Sequence, residues 1–175
     1  MRKPRTPLVA LMAILTLVAG VGTVAANPAV AAPRTIDFKL IFHASVSNSC
    51  PPGVLTCGTV LVPGFGSATA TFTPTGFVPG VPAPNCFLGE GIVDITLESD
   101  GGTLLLATEQ VACTPGASGA APGTLSAGPP FQGEGTWSVI EGTGVFSGAT
   151  GGGTASTNNA GDVTVSRYFG TITLP

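Results

Sequence analysis

Charged residues are scarce in this chain of 175 residues. Only 9% of the residues are Asp, Glu, Lys or Arg and the formal net charge is −3, whereas an average soluble domain is roughly 25% charged. A protein that binds nucleic acid needs a surplus of basic side chains to neutralise phosphates, so we expect no nucleic-acid partner. An acidic disordered tail is excluded as well, because 43% of the residues are hydrophobic.

Residue patterns that carry common enzymatic chemistry are also missing. The chain has one histidine, His43, so a nucleophile activated by histidine would depend on that side chain alone. The sequence contains no G-x-S-x-G, H-E-x-x-H or C-x-x-C motif, which removes the usual signatures of hydrolases, zinc proteases and dithiol sites. The glycine-rich run 142–148 is not a dinucleotide fingerprint, since its third glycine is displaced and no βαβ pattern follows. We therefore expect neither a metal nor a cofactor.

Helical periodicity is absent from the chain beyond its N-terminal segment, while turn-forming residues are abundant, with 26 Gly and 16 Pro. Residues 35–48 alternate between apolar and polar positions, apart from Ile41: Phe38 and Leu40 lie on one face, and Asp37 and Lys39 on the other. A period of two over this length predicts a half-buried strand. The glycines and prolines then fall between strands, and the chain is predicted to be all-β.

The clearest turn signal is the run Ser-Asp-Gly-Gly at 99–102, which separates two apolar segments. Such glycines supply the positive φ angles of a tight hairpin. A turn closed between the first and last of these residues places Leu97 opposite Leu104 and Ile95 opposite Leu106. The apolar partners then share one face, as a hairpin with one buried side requires.

The C-terminal segment 163–174 is predicted to be a strand in which the apolar positions change parity, from Val163 and Val165 to Ile172 and Leu174. A β-bulge in the middle of the strand accounts for such a change, because one extra residue re-aims the side chains beyond it.

The N-terminal segment has the layout of a secretory signal peptide. Three basic residues within 1–5 precede an apolar run over 8–21, and residues 29–31 supply an A-x-A cleavage site. An uncleaved membrane anchor is the alternative, although the small residues favour cleavage. We expect the cut after Ala31, with the bond after Ala26 as the second choice.

Removal of residues 1–31 leaves a single predicted domain over 32–175. This domain is expected to be secreted and to have no membrane attachment. It retains three basic residues against nine acidic ones, so its formal net charge is −6.

Four cysteines in an exported chain predict two disulfides. In an antiparallel hairpin, the residue numbers of any two directly opposite residues add up to the same total. The predicted turn, with Ser99 opposite Gly102, sets that total at 201. Cys86 and Cys113 sum to 199, so they lie opposite or one diagonal step apart on the same face, with a bulge at 89–91 able to absorb the offset. This pairing leaves Cys50 to bond Cys57.

A few polar side chains are weak candidates for a polar cavity inside the fold. These are His43, Asp94, Glu109 and Tyr168. For His43 the simpler interpretation is a solvated strand face shared with Asp37 and Lys39, since polar strand faces usually meet water. The carboxylates Glu90, Asp94, Glu98 and Glu109 could pair for acid–base chemistry, but surface carboxylates are commoner.

The C-terminal part of the chain resembles allene oxide cyclase-like and dirigent-like proteins. The resemblance rests on the segment 142–151, with Gly142, Gly144, Phe146, Gly148 and Gly151, followed by a strand, a turn and the closing run 170–174. It covers roughly residues 137–174. The resemblance implies an eight-stranded antiparallel β-barrel of the calycin type, in which the glycines form a tight corner and Phe146 plugs the barrel end. A β-sandwich is the alternative fold. The family is often oligomeric, so a homo-oligomer is a further expectation.

Three functions are compatible with these features. The first is a secreted, disulfide-stabilised barrel that binds a small apolar ligand or a surface partner without catalysis. The second, implied by the resemblance, is an enzyme whose cavity steers a reactive intermediate. The third is a structural cell-surface module. An open cavity with polar groups favours the first two, and a filled interior favours the third.

Overall fold

The computed structural model describes residues 32–45, 50–99, 101–115, 130–160 and 163–175. The predicted signal peptide lies outside these residues. In the part of the chain that is described, no helix is long and apolar enough to cross a membrane.

Eight antiparallel strands pair in chain order and close into one barrel. The strands are β1 Arg34–Ser45, β2 Thr56–Val62, β3 Gly66–Pro79, β4 Cys86–Leu97, β5 Thr103–Cys113, β6 Phe131–Gly142, β7 Thr150–Ala160 and β8 Val163–Leu174. A short 3₁₀ turn, Gly144–Phe146, connects β6 to β7. The prediction of an eight-stranded all-β barrel is confirmed, and the β-sandwich is excluded because β8 pairs with β1 along its whole length.

The alternation of β1 decides which side chains fill the barrel. Phe38, Leu40 and Phe42 are buried inside, each no more than 3% exposed. Lys39 and His43 on the opposite face are exposed. The apolar positions of the other strands join this interior, with Val62, Ile95, Leu104, Leu106 and Ile172 fully buried.

The hairpin between β4 and β5 forms, but two residues out of the predicted register. Ile95 lies opposite Leu104 and Val93 opposite Leu106, so the predicted closure of Ser99 on Gly102 is wrong. The turn closes earlier than predicted, between Leu97 and Gly102, where the Leu97 amide donates to the Gly102 carbonyl at 2.9 Å. The amide of Glu98 donates to the carbonyl of Ser67 in β3 at 3.0 Å instead of pairing across the hairpin. A shift of two residues preserves the buried face.

Both predicted disulfides are present. Cys86 and Cys113 are directly opposite in the β4–β5 ladder, with Cα atoms 4.0 Å apart. Their residue numbers add up to 199, and all other opposite pairs of this ladder give the same total, so the pairing needs no bulge at 89–91. Cys50 bonds Cys57 with a Cα separation of 5.6 Å. Both bonds lie at the same end of the barrel, which we call the disulfide end.

The predicted bulge in β8 is wrong. Val163–Leu174 pairs without interruption with both β7 and β1. Thr164, Ser166 and Tyr168 therefore point inward and are buried, whereas Val163 is 48% exposed. The apparent change of parity arises because the inner face of β8 is polar at the disulfide end, with Thr164 and Ser166, and apolar at the other, with Ile172.

The opposite end of the barrel is closed by Phe146. Its side chain is fully buried, and its ring lies 4.7 Å from that of Phe65, centroid to centroid. Gly144 has a φ of +58° and approaches Gly102 so closely that a Cβ would lie 2.9 Å from the Gly102 Cα, which requires glycine. The corner predicted for this segment, and the buried position of Phe146, are confirmed.

Trp137 spans the middle of the interior from β6 to β8. Its indole nitrogen donates to the carbonyl of Phe169 at 3.2 Å, and its ring lies 5.1 Å from Phe38. The indole crosses β7 at Gly153, the cross-strand partner of Trp137, where no side chain stands in the way. One aromatic residue thus ties β6, β8 and β1 together.

Replacing Phe146 by Ala is expected to lower the free energy of unfolding by about 4 kcal/mol, because a large buried ring would leave a cavity in the closed end. The matched control is Val145→Ala, since Val145 is 46% exposed, and its loss should be below about 0.5 kcal/mol. Urea denaturation followed by Trp137 fluorescence measures both. Equal losses for the two variants would contradict the plug.

Replacing Cys86 and Cys113 together by Ala should cost more stability than replacing Cys50 and Cys57. The two bonds close loops with sequence separations of 27 and 7 residues, and loop-closure entropy gives about 3.5 and 2.5 kcal/mol respectively. Denaturant midpoints of the two double variants test this order. A greater loss for the shorter loop would refute it.

Candidate functional site

A cavity of about 380 Å³ occupies the disulfide end of the barrel. Its lining comes from strands β2 to β8 at the ends remote from Phe146, together with Leu55 just before β2. Most of the lining surface is apolar. The volume lies within the range of cavities that hold small molecules.

One wall of the cavity is aromatic. Phe72 and Phe77 come from β3, Phe87 from β4 and Phe131 from β6. The ring of Phe87 lies 5.0 Å from that of Phe77 and 5.6 Å from that of Phe131, distances at which aromatic pairs attract. We call these four residues the aromatic wall.

The geometry of β3 explains how this wall forms. The pairing of β2 with β3 stops at Thr56 opposite Phe72, so the rest of β3 extends beyond β2 and pairs only with β4. A register shift between Pro74 and Gly76 then turns Phe77 to the inner face, opposite Gly89. β-bulges commonly re-aim a side chain in this way.

The opposite wall is polar and belongs to β7 and β8. Thr157 lies opposite Ser166 and Asn159 opposite Thr164 in the ladder. The hydroxyl oxygens of Thr157 and Ser166 are 3.0 Å apart, and the amide nitrogen of Asn159 donates to the Thr164 hydroxyl at 2.9 Å. We call these residues, with Tyr168, the polar wall. In an eight-stranded barrel, β7 and β8 face β3 and β4 across the interior.

Tyr168 lies at the inner edge of the polar wall. It is 1% exposed, and burial raises the pKa of its phenol from 10.0 to about 12, while a hydrogen bond with the Ser166 side chain acts in the opposite direction. Burial disfavours the ionised form of the phenol, because the anion loses its hydration by water. The group is therefore a neutral hydroxyl over the whole physiological range.

Positive charge is kept out of the cavity. The predicted mature chain contains only Arg34, Lys39, Arg167 and His43 as basic residues; all four are exposed, and none lines the cavity. Lys39 lies over the ring of Phe169 at 5.7 Å, also on the outside. The one carboxylate among the described lining residues is Glu90, whose side chain fills the space beside Gly76.

The four candidates for a polar cavity do not come together. His43, Asp94 and Glu109 project from the outer face of β1, β4 and β5, and none of them lines the cavity. Asp94 instead accepts a 3.4 Å hydrogen bond from Thr96, and Glu109 lies opposite Glu90. Tyr168 alone of the four is a cavity residue.

The polar wall was missed because its signal was interpreted as a bulge. The alternation of β8 already places Thr164, Ser166 and Tyr168 on the face of Ile172, but polar residues on a buried face are unusual. Among the described residues, no group of three or more His, Cys, Asp or Glu side chains could hold a metal ion.

Comparisons of the chain with protein-family models, curated proteins and solved structures find no match. The resemblance carried by residues 142–151 therefore stays a prediction.

The chain has a single tyrosine, so its ionisation can be followed directly at 295 nm. We expect a midpoint near pH 12, and Tyr168→Phe should abolish the transition. The unfolded chain loses this proton near pH 10.0 and the folded chain near 12. The contribution of Tyr168 to stability should thus be constant below pH 10 and fall by about 1.4 kcal/mol per pH unit between pH 10 and 12. A midpoint near 10 in the folded protein would show that Tyr168 is solvated.

Proposed function

We propose that this protein is a secreted, disulfide-stabilised β-barrel that binds a small, largely apolar molecule in the cavity at the disulfide end. The observation that supports this most is the cavity itself, since an interior filled to native density would favour a purely structural module. Export is supported by the signal-like N-terminus and by two disulfides, which persist mainly in oxidising compartments.

The disulfides also fit this function physically. A cavity removes packing contacts from the end of the barrel that contains it, and both covalent links lie at that end. Cys86–Cys113 joins the two strands that carry Phe87 and Ala112, which are themselves lining residues. This link fixes β4 against β5 at the end of the barrel where side-chain packing is weakest, and Cys50–Cys57 ties the segment before β2 to that strand.

Catalysis in the same cavity is a second candidate. It is favoured by one observation, that the phenol of Tyr168 lines the cavity and could donate a hydrogen bond to a bound intermediate. It would also agree with the proposed kinship to allene oxide cyclase-like and dirigent-like barrels, in which cavity shape directs the reaction. Binding is common to both candidates and is the property to test first.

The dye N-phenyl-1-naphthylamine, which is uncharged and fluoresces in apolar surroundings, should bind with a stoichiometry of one. Ala112→Phe should reduce its affinity at least tenfold, because Ala112 is a buried lining residue and a ring there occupies the cavity. Fluorescence titration measures the effect.

Ala107→Phe is the matched control, since Ala107 lies on the outer face of the same strand, β5, and its dye affinity should equal that of the parent protein. Thermal unfolding verifies that both variants are folded. If the dye binds equally well to Ala112→Phe and Ala107→Phe, the cavity is not its site; if no dye binds to the parent protein, the proposal fails.

A further inference from the structure

The cavity has two walls of different chemistry, and this difference restricts the kind of ligand that it can bind. The phenylalanines of the aromatic wall on β3 and β4 lie across the interior from the hydroxyl and amide groups of the polar wall, and Phe131 on β6 is the cross-strand neighbour of Asn159. A wholly apolar ligand would leave the polar wall facing hydrocarbon, which costs free energy for each hydroxyl whose hydrogen-bonding capacity is not used.

Hydrogen counting shows what the polar wall can still donate. Tyr168, Ser166 and Thr157 form a chain of three hydroxyls joined by two hydrogen bonds. Each hydroxyl has one hydrogen to donate and can accept twice. Two of the three hydrogens are used within the chain, so one O–H remains for an acceptor on a bound molecule.

The charge distribution limits the ligand further. The four basic side chains of the predicted mature chain all belong to described residues, all are exposed, and none lines the cavity. A carboxylate or phosphate placed within the cavity would lose its hydration without gaining a cation.

Resting on the proposed function, we infer that the ligand is an uncharged molecule with an apolar ring-sized body against the aromatic wall and a carbonyl or hydroxyl oxygen that accepts a hydrogen bond from the Tyr168–Ser166–Thr157 chain. Fatty-acid and phosphate anions are rejected by the same site. The site is selective because a ligand must place its apolar body against the aromatic wall and its polar oxygen against the polar wall at the same time.

Three ligands of similar shape separate these requirements: 1-ethylnaphthalene, which is apolar; 1-acetonaphthone, which is uncharged and has a carbonyl; and 1-naphthoate, which is an anion. Their affinities are measured by displacement of N-phenyl-1-naphthylamine. We expect 1-naphthoate to bind at least tenfold more weakly than 1-acetonaphthone, because its charge has no partner in the cavity.

Thr157 is half-buried, whereas Ser166 and Tyr168 are buried, so Thr157→Val removes the hydroxyl most accessible to a ligand while keeping the side-chain shape. The O–H that is then left over belongs to a buried residue. The substitution should weaken 1-acetonaphthone about fivefold, the loss expected for one uncharged hydrogen bond, and leave 1-ethylnaphthalene unchanged or slightly tighter. Thr154→Val is the control, because Thr154 is exposed on the outer face of the same strand. It should change neither affinity.

The outcomes are distinguishable from failure of the proposed function. If N-phenyl-1-naphthylamine does not bind, both proposals fall. If the dye binds but 1-naphthoate competes as well as 1-acetonaphthone, or if Thr157→Val weakens the ketone and the hydrocarbon equally, binding stands and the inferred ligand class is wrong.

Discussion

The pairing of β1 with β8 is the constraint on which the rest of the structure depends. Twelve consecutive residue pairs, from Arg34 opposite Leu174 to Ser45 opposite Val163, join the first strand to the last. Closure of the barrel gives every strand one inner and one outer face, so each residue is committed to the interior or to solvent by its register alone. A slip of one residue in this ladder would expose Phe38, Leu40 and Phe42 together.

The closed interior is not uniform along its axis. At one end Phe146, Phe65 and the Trp137–Phe38 pair fill the space between strands. At the other end, the inner positions of β7 and β8 change to Thr, Ser, Asn and Tyr, and a cavity opens between them and the phenylalanines of β3 and β4. A stable core and a binding site therefore share one barrel, with the disulfides at the end where packing is weakest.

The scarcity of charged residues has a direct effect on the chemistry of the cavity. The few basic groups lie outside, and the cavity contains hydroxyls, amides and aromatic rings instead of ion pairs. Neutral hydrogen bonds discriminate among uncharged ligands by position, whereas an inward Lys or Arg would have favoured anions. The burial that keeps Tyr168 protonated makes it a hydrogen-bond donor that pH does not switch off under physiological conditions.

Local patterns in the chain were sufficient for the strand type and the two disulfide pairs, because each depends on residues close in sequence or on one hairpin, whereas the glycine corner around Phe146 was implied by a family resemblance. The hairpin register and the path of β8 were not accessible in this way. The amide of Glu98 bonds to Ser67 of β3 instead of pairing across the hairpin, and Thr164, Ser166 and Tyr168 face inward because β7 and β1 hold β8 on both sides. A single strand shows which residues share a face; only its neighbours decide which face is the interior, and with it where the cavity and its polar wall lie.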